Sequence, residues 1–448
     1  MRPSRSDSVL TEREPPLWER VGAMICIVML TGALIGPVFA PNQGETPMLR
    51  LIWLPVYAII FGLIAARFDR VMRAWPAWLA LLGLVILAYV SKYWSIDPAV
   101  TGRRVIAMAM TGSFALYLGS SFRGPHLPRL LMQTALLLAL GSLVMVFAFP
   151  AIGVHQTDNA GLWRGLWYEK NQMGIVMVAG ATAAAACLAS GDPRRWAPVL
   201  TLVLTTVLVL ATQSKTSLLS LMVGLGLVST LWAMRRGGAA FTVVCVWLGI
   251  VMASIGVYIF LTEPESILAA LGKDPSLTGR THIWDSLMRR VSERPWTGYG
   301  YSAFWGRTSV PAAFVRQETG WLVPSAHNGW IDLLVQLGWP GALAVGSLFV
   351  TATLMTLVRL GSAGVREGYW AIAYLGVFLL LSLSESVLLS HASLPWTLFL
   401  AILARALTSE TLPISTPLAR NPRAAYQTRS RIAAQYVHGP ARRPLFRL

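Results

Sequence analysis

Acidic residues are scarce in this chain: 20 Asp and Glu stand against 37 Lys and Arg, and charged residues of both signs make up only 13% of its 448 residues. So little charge, beside 55% hydrophobic residues and a mean hydropathy of +0.57, excludes an ordinary soluble domain and puts the bulk of the chain in a bilayer. Cysteine is nearly absent. Cys26, Cys187 and Cys245 each fall inside an apolar run, spaced for neither a disulfide framework nor a metal site, and read as small buried hydrophobes. The eight Asp form no DxD pair, no HExxH, CxxC or P-loop occurs, and Ser214-Lys215-Thr216 lacks the glycine-rich run that cradles phosphate. Metal-dependent transfer from nucleotide sugars and ATP-driven transport therefore lack their usual ligands, and neither a metal nor a cofactor is expected. The net charge of +17 raises nucleic acid as a partner, but most of it follows membrane orientation and one basic tail, so no nucleic acid is expected either.

What the sequence has in abundance is long apolar runs. Stretches able to cross about 30 Å of hydrocarbon as helix recur near 20–40, 49–66, 76–94, 104–122, 127–149, 171–190, 196–212, 216–234, 239–262, 328–357, 368–388 and 393–408, twelve in all. The expected fold is all-α, a polytopic membrane protein of about twelve transmembrane helices. The first run is long, begins late and is followed at once by a second, unlike a cleaved signal peptide. Arginines cluster after every even-numbered run, at 67, 70 and 73, 123 and 129, 194 and 195, 235 and 236, 359 and 366, and in the tail. The orientation that keeps them inside makes both termini cytoplasmic. No internal repeat is evident. The division is then a cytoplasmic N-terminal tail over 1–19, a membrane domain over 20–408, and a basic tail over 409–448. That tail has the composition of a disordered segment able to lie on anionic membrane lipids.

One insertion interrupts the membrane domain, a loop over 262–326 on the side away from the cytoplasm. A connection of this length is functional or carries helices of its own. Thr281 is a candidate N-cap for a short helix whose Ile283, Trp284, Leu287 and Val291 share one face, to rest on the membrane domain or on lipid headgroups. Pro295 ends it, and Gly298-Tyr299-Gly300-Tyr301 reads as a tight turn.

Basic residues that remain on the outer side oppose the orientation bias. Four stand out by context: Arg164 and Lys170 in Trp163-Arg164-Gly165-Leu166-Trp167-Tyr168-Glu169-Lys170-Asn171, Lys215 in Gln213-Ser214-Lys215-Thr216-Ser217, and Arg280 at the head of the loop helix. Ionisable groups at membrane depth mark functional sites. Several cations together with helix N-terminal amides suit a diphosphate. Snorkelling, or pairing with Glu169, Glu318 or Glu385, is the structural alternative for each. His327, in Ser325-Ala326-His327-Asn328-Gly329-Trp330-Ile331-Asp332, is placed by the apolar pattern in the first turn of a membrane helix. Its neutral imidazole would accept a proton near pH 7; the alternative is an interfacial histidine bonded to a neighbouring loop. With metal and nucleotide chemistry unsupported, the chemistry left is transfer from a lipid diphosphate, in which cations stabilise the leaving group and a base deprotonates a sugar hydroxyl.

These stretches, together with Gly-Arg-Thr-x-Ile-Trp from 279, Arg-Pro-Trp-Thr-Gly-Tyr-Gly from 294 and Ala-His-Asn-Gly-Trp-Ile-Asp from 326, resemble the O-antigen ligase and Wzy-type polymerase superfamily, in particular its exopolysaccharide-production branch. The likeness covers roughly residues 160–345. It implies a GT-C-like glycosyltransferase of the bacterial inner membrane. Such an enzyme moves glycan from undecaprenyl diphosphate to a glycan or lipid A-core acceptor at the periplasmic face; a polysaccharide chain-length regulator is a further partner it admits. By the same likeness His327 resembles the family's base, and Arg280 and Lys215 its diphosphate-binding positions. Many members have Arg at 215 and His at 169; here these are Lys and Glu. Glu385 is a candidate to orient His327 or to pair with Arg280, while Asn171 and Asn328 are supporting candidates. Trp163 and Trp284 are candidates for stacking on sugar, although a tryptophan belt at the interface explains most of the chain's tryptophans. Polymerase, ligase and a flippase for the same lipid-linked sugars stay open; a flippase should show two related halves with broken helices at mid-membrane.

Overall fold

The computed structural model of the chain describes residues 14–35, 37, 47–157, 159–262, 280–320, 322–359 and 365–408. The first thirteen residues, the loop over 263–279 and the basic tail lie outside them. Among the described residues the chain is all-helical, with one isolated bridge between Val154 and Trp163. The helices are α1 Leu17–Leu30, α2 Pro47–Ala66, α3 Phe68–Met72, α4 Trp75–Val90, a 3₁₀ turn Ser91–Tyr93, α5 Pro98–Ser121, α6 His126–Ala148, α7 Pro150–Gly153, α8 Lys170–Ala189, α9 Trp196–Thr212, α10 Lys215–Thr262, α11 Arg280–Glu293, α12 Val310–Thr319, α13 Gly329–Arg359, α14 Val365–Ser384 and α15 Leu394–Leu407. Among the described residues six stretches are long and apolar enough to cross a membrane: Trp75–Tyr93, His126–Ala148, Lys170–Ala189, Lys215–Gly249, Gly329–Arg359 and Glu367–Ser384. The chain is a multi-pass membrane protein. Where two runs meet near 238, α10 is interrupted at Gly238, whose φ of +75° is left-handed.

The bundle is organised on α8, which packs against α6, α9, α10 and α14. Its sequence is rich in Gly and Ala, and small side chains let helix backbones approach closely where no hydrophobic force separates protein from lipid. A Cβ on Gly180 would lie 2.2 Å from the Cβ of Ala135 in α6, and one on Gly174 2.1 Å from the Oγ of Ser217 in α10. That second contact brings the first turns of α8 and α10 side by side.

The connections between helices fall into two sets. At one end buried carboxylates staple the bundle. Arg67 donates to Glu19, which also accepts from the Tyr117 hydroxyl at 2.8 Å. Arg129 pairs with Asp192 at 2.6 Å, and Arg405 with Glu367 at 2.7 Å. At the other end lie the segments 91–97, 149–157, 159–169, 213–214, 294–320, 322–328 and 385–393.

Residues 280–335 build a small core of their own. Ile283, Leu287 and Val291 of α11 bury against Phe304, Ala312, Val315 and Val335, so the expected apolar face meets this core and α13 rather than lipid. Thr281 stands inside α11, which begins at Arg280, and not at its cap. The core is fastened to α13 through a break in that helix. Gly338, at φ +63°, interrupts the helical backbone and Pro340 has no N–H to give, which frees the carbonyls of Val335 and Gln336. Tyr299 and Gly300 donate to those two carbonyls at 2.8 and 3.0 Å, and the Trp339 N–H donates to the Pro295 carbonyl at 2.8 Å. The turn over 295–300 thus completes the backbone bonding that the Gly-Trp-Pro triplet leaves open. The nine residues from Gly329 to Leu337 thus join the two cores, Leu334 and Val335 packing in the loop core and Leu333 and Leu337 in the bundle core.

Gly300 tests this splice. Its φ is +99°, and an added Cβ would lie 2.7 Å from the Cα of Ser95, so Gly300→Ala is expected to destabilise by about 1–3 kcal/mol. Gly320→Ala, at φ +74° but with nothing within 4 Å, should cost only the strain of the backbone. Thermal unfolding of the two purified variants checks this; equal midpoints would show that the turn is not seated against Ser95.

Candidate active site

Glu385 follows the last residue of α14, and three side chains from three other elements reach its carboxylate. The Asn171 amide, in the first turn of α8, donates to Oε1 at 3.2 Å. The Arg280 guanidinium, at the start of α11, lies 3.7 Å from Oε1 and donates to the Ser384 carbonyl at 2.8 Å. The His327 Nδ1 lies 3.5 Å from Oε2. Glu385 is 13% exposed and His327 23%, so both are partly buried and the imidazole is the more exposed of the two. The Glu385 carboxylate thus lies within reach of both the imidazole and the guanidinium, the two partners expected for it.

His327 is not in the first turn of a helix. It precedes the cap, with φ +48°, a left-handed conformation that non-glycine residues adopt at a cost and that concentrates at functional sites. Asn328 is the cap; its Oδ1 accepts from the N–H groups of Trp330 and Ile331 at 3.0 and 3.2 Å, as short polar side chains do at helix starts. The strained residue is fixed from the other side as well. Trp284 Nε1 donates to the Ala326 carbonyl at 2.9 Å. Buried Asp332, one turn into α13, accepts from Trp305 Nε1 at 2.7 Å and from the Ala326 N–H at 3.4 Å. Sequence reasoning did not single out Asp332; its place in the quoted His-Asn-Gly-Trp-Ile-Asp stretch was the only signal.

Cations stand at the heads of two helices. Lys170 and Lys215 are the first residues of α8 and α10, and neither helix has an acidic residue in its first turn; Arg280 is the first described residue of α11. A cation at a helix N-terminus opposes the macrodipole by about 0.3–1 kcal/mol, and amides with side-chain charge at such an end suit an anion. Lys215 heads the helix whose Ser217 meets Gly174 of α8. Its segment is held by Gln213 at φ +49°, by the Ser214 N–H on Thr212 Oγ1, and by Ser217 Oγ on Ser214 Oγ.

The remaining candidates hold loops. Arg164 donates to the carbonyls of Ile152, Ala151 and Tyr168, so its guanidinium folds the 149–169 segment. Glu169 forms a capping box with Gln172 at the start of α8. The Trp163 ring meets Phe147 edge-on, with centroids 5.6 Å apart.

A profile described as O-Antigen ligase matches residues 200–346, the stretch that holds Lys215, Arg280 and His327. The chain is 26% identical over 320 residues to the exopolysaccharide production protein ExoQ of Rhizobium meliloti, covering 68% of this chain and 72% of that one. It is 23% identical over 325 residues to an O-antigen ligase of Pseudomonas aeruginosa, covering 71% and 74% respectively.

Proposed function

We propose that the chain belongs to the O-antigen ligase and Wzy-type family, to which its similarities point, and on that premise that it is a glycosyltransferase of the bacterial inner membrane. It moves glycan from undecaprenyl diphosphate to a sugar hydroxyl at the periplasmic face, most simply in the polymerisation of exopolysaccharide repeat units. The observation that supports this best is the meeting of His327, Arg280 and Asn171 on Glu385, beside helices headed by Lys170 and Lys215. The diphosphate lies among Lys170, Lys215, Arg280 and the adjoining helix N-termini. The acceptor oxygen attacks the anomeric carbon, His327 takes the hydroxyl proton, and the bond from that carbon to the diphosphate oxygen breaks. The products are the lengthened glycan and undecaprenyl diphosphate. Glu385 holds the imidazole and steadies it once protonated, while the cations stabilise the charge gathering on the leaving group. Arg164 and Glu169 shape the segment above α8, and Trp284 positions the His327 backbone.

The second reading, ligation of finished polysaccharide to lipid A-core, is supported by the similarity to the Pseudomonas aeruginosa ligase. Both readings use the same donor site and differ in the acceptor. Deleting the gene in its native host separates them: loss of long polymer supports polymerisation, whereas abundant polymer unattached to lipid A-core supports ligation. Wild-type polymer that remains normally attached would remove both.

A further inference from the structure

The nine residues that join α14 to α15 begin with Glu385 and pass, at His391, to a second group of polar side chains. Two of them have left-handed backbones that are unfavourable for their residue types, Leu389 at φ +50° and Ala392 at φ +51°. Such strain persists only where neighbours over-determine the conformation, and three ties do so. The Tyr301 hydroxyl, from the loop core, donates to the Leu389 carbonyl at 2.8 Å. The Ala392 N–H donates to Thr111 Oγ1 of α5 at 3.2 Å. The Arg104 guanidinium of α5 bonds to Nε2 of His391.

Arginine has no acceptor, so His391 must accept at Nε2 and carry its proton on Nδ1. Burial, with the Arg104 charge beside it, pushes the imidazole down to about 3, and the ring stays neutral across the physiological range. Burial likewise raises the Tyr301 phenol well above its usual range, which keeps it a donor. Between the ties Val387, Leu388 and Leu389 are buried. Leu388 and the Glu385 carbonyl press on Gly329, where an added Cβ would lie 2.9 Å from Leu388 Cγ and 3.3 Å from the Glu385 oxygen. The segment therefore bears on the first residue of α13, two residues after His327, as well as carrying Glu385.

We propose that Arg104, His391 and Tyr301 are positioning residues for the transfer: they brace the 385–393 segment so that the Glu385 carboxylate is set against His327 and Arg280. This rests on the glycosyltransferase reading above. None of the three need touch substrate; the bracing fixes the angle of the imidazole, and misplacement of a catalytic group by about 1 Å can cost about 10²-fold in rate.

The test is steady-state transfer in proteoliposomes holding the full chain, with the host's undecaprenyl diphosphate-linked glycan as donor. His391→Leu removes the acceptor and is expected to lower kcat about tenfold while changing donor KM less than about twofold, the size of an ordinary coupling between contacting residues. His391→Gln, whose amide oxygen can accept from Arg104, should recover most of that loss. Ala392→Gly, which relieves the left-handed strain at the loss of one half-buried methyl and keeps the N–H donated to Thr111, should lower kcat with a little-changed unfolding midpoint, and it decides the matter if His391→Leu does not fold. Wild-type kcat in His391→Leu, equal losses in the Leu and Gln variants, or a loss carried mainly by KM would each overturn the proposal. His327→Asn and Arg280→Ala run alongside: if these retain full transfer, the reading of the site itself fails, whereas if only they lose transfer, the bracing alone is wrong.

Discussion

Substituting His327 with asparagine is expected to lower turnover by about two to four orders of magnitude, the usual contribution of a positioned general base, while leaving the protein folded and donor-bound. Asparagine is chosen for the backbone. At φ +48° an alanine adds strain of its own, whereas asparagine is among the residues that enter the left-handed region most readily. The local fold does not depend on the imidazole, because Trp284 and Asp332 hold Ala326, and Asn328 caps α13. The imidazole contacts Glu385, which keeps Asn171 and Arg280 as partners. Single-turnover transfer, read beside thermal unfolding, separates chemistry from stability. Unaltered turnover in His327→Asn would end the general-base assignment, and loss of folding with it would make the residue structural. Glu385→Gln should cost less than His327→Asn, since the amide still offers one oxygen to the ring or to Arg280.

The helices were legible because membrane spans are written in composition: among the described residues most expected apolar runs coincide with helix, although the first is α-helical only to Leu30, the two over 216–262 share one element broken at Gly238, and six stretches are long and apolar enough to cross. The break in α13 was not legible. Gly338 and Pro340 lie in a run whose hydropathy is uninterrupted, and the turn that completes the break, about forty residues earlier, was legible as a tight turn but not its partners in α13. For the candidate site, charge out of place was the signal. Lys170, Lys215 and Arg280 were singled out because cations expected on the outer side oppose the orientation bias, and the diphosphate role proposed for them rests on that signal. Arg164 gave the same signal for another reason, as a guanidinium that caps carbonyls of a short helix. Glu385 was visible as a lone carboxylate in a span, but its joint grip on Asn171, Arg280 and His327 needed coordinates. Nothing in the sequence pointed to His391 and Arg104, which are 287 positions apart. Their significance lies in a strained connection that composition cannot reveal.

Arg280→Gln is expected to weaken donor binding by about 10- to 100-fold, the worth of a charge-assisted hydrogen bond of about 1.5–3 kcal/mol. Turnover should fall further, toward the 10²–10³ seen when a group stabilising transition-state charge is removed. The larger effect on turnover follows from the geometry. In the resting site the guanidinium is shared between the Ser384 carbonyl and Glu385, so it is already oriented, and the diphosphate gains most from it as the bond to the sugar lengthens and negative charge builds on the leaving oxygen. Arg280→Lys should fall between wild type and Gln, because an ammonium keeps the charge and loses the fork that can serve carbonyl and phosphate at once. Arg164→Gln supplies the contrast: its donors go to backbone carbonyls of 151, 152 and 168, so it should lower the unfolding midpoint with little change in donor affinity per folded molecule. Titration of each purified variant with undecaprenyl diphosphate, repeated at rising ionic strength, distinguishes the two. An Arg280→Gln protein that binds the lipid as tightly as wild type, with the same salt dependence, would take Arg280 out of the diphosphate site and leave its pairing with Glu385 as its whole role.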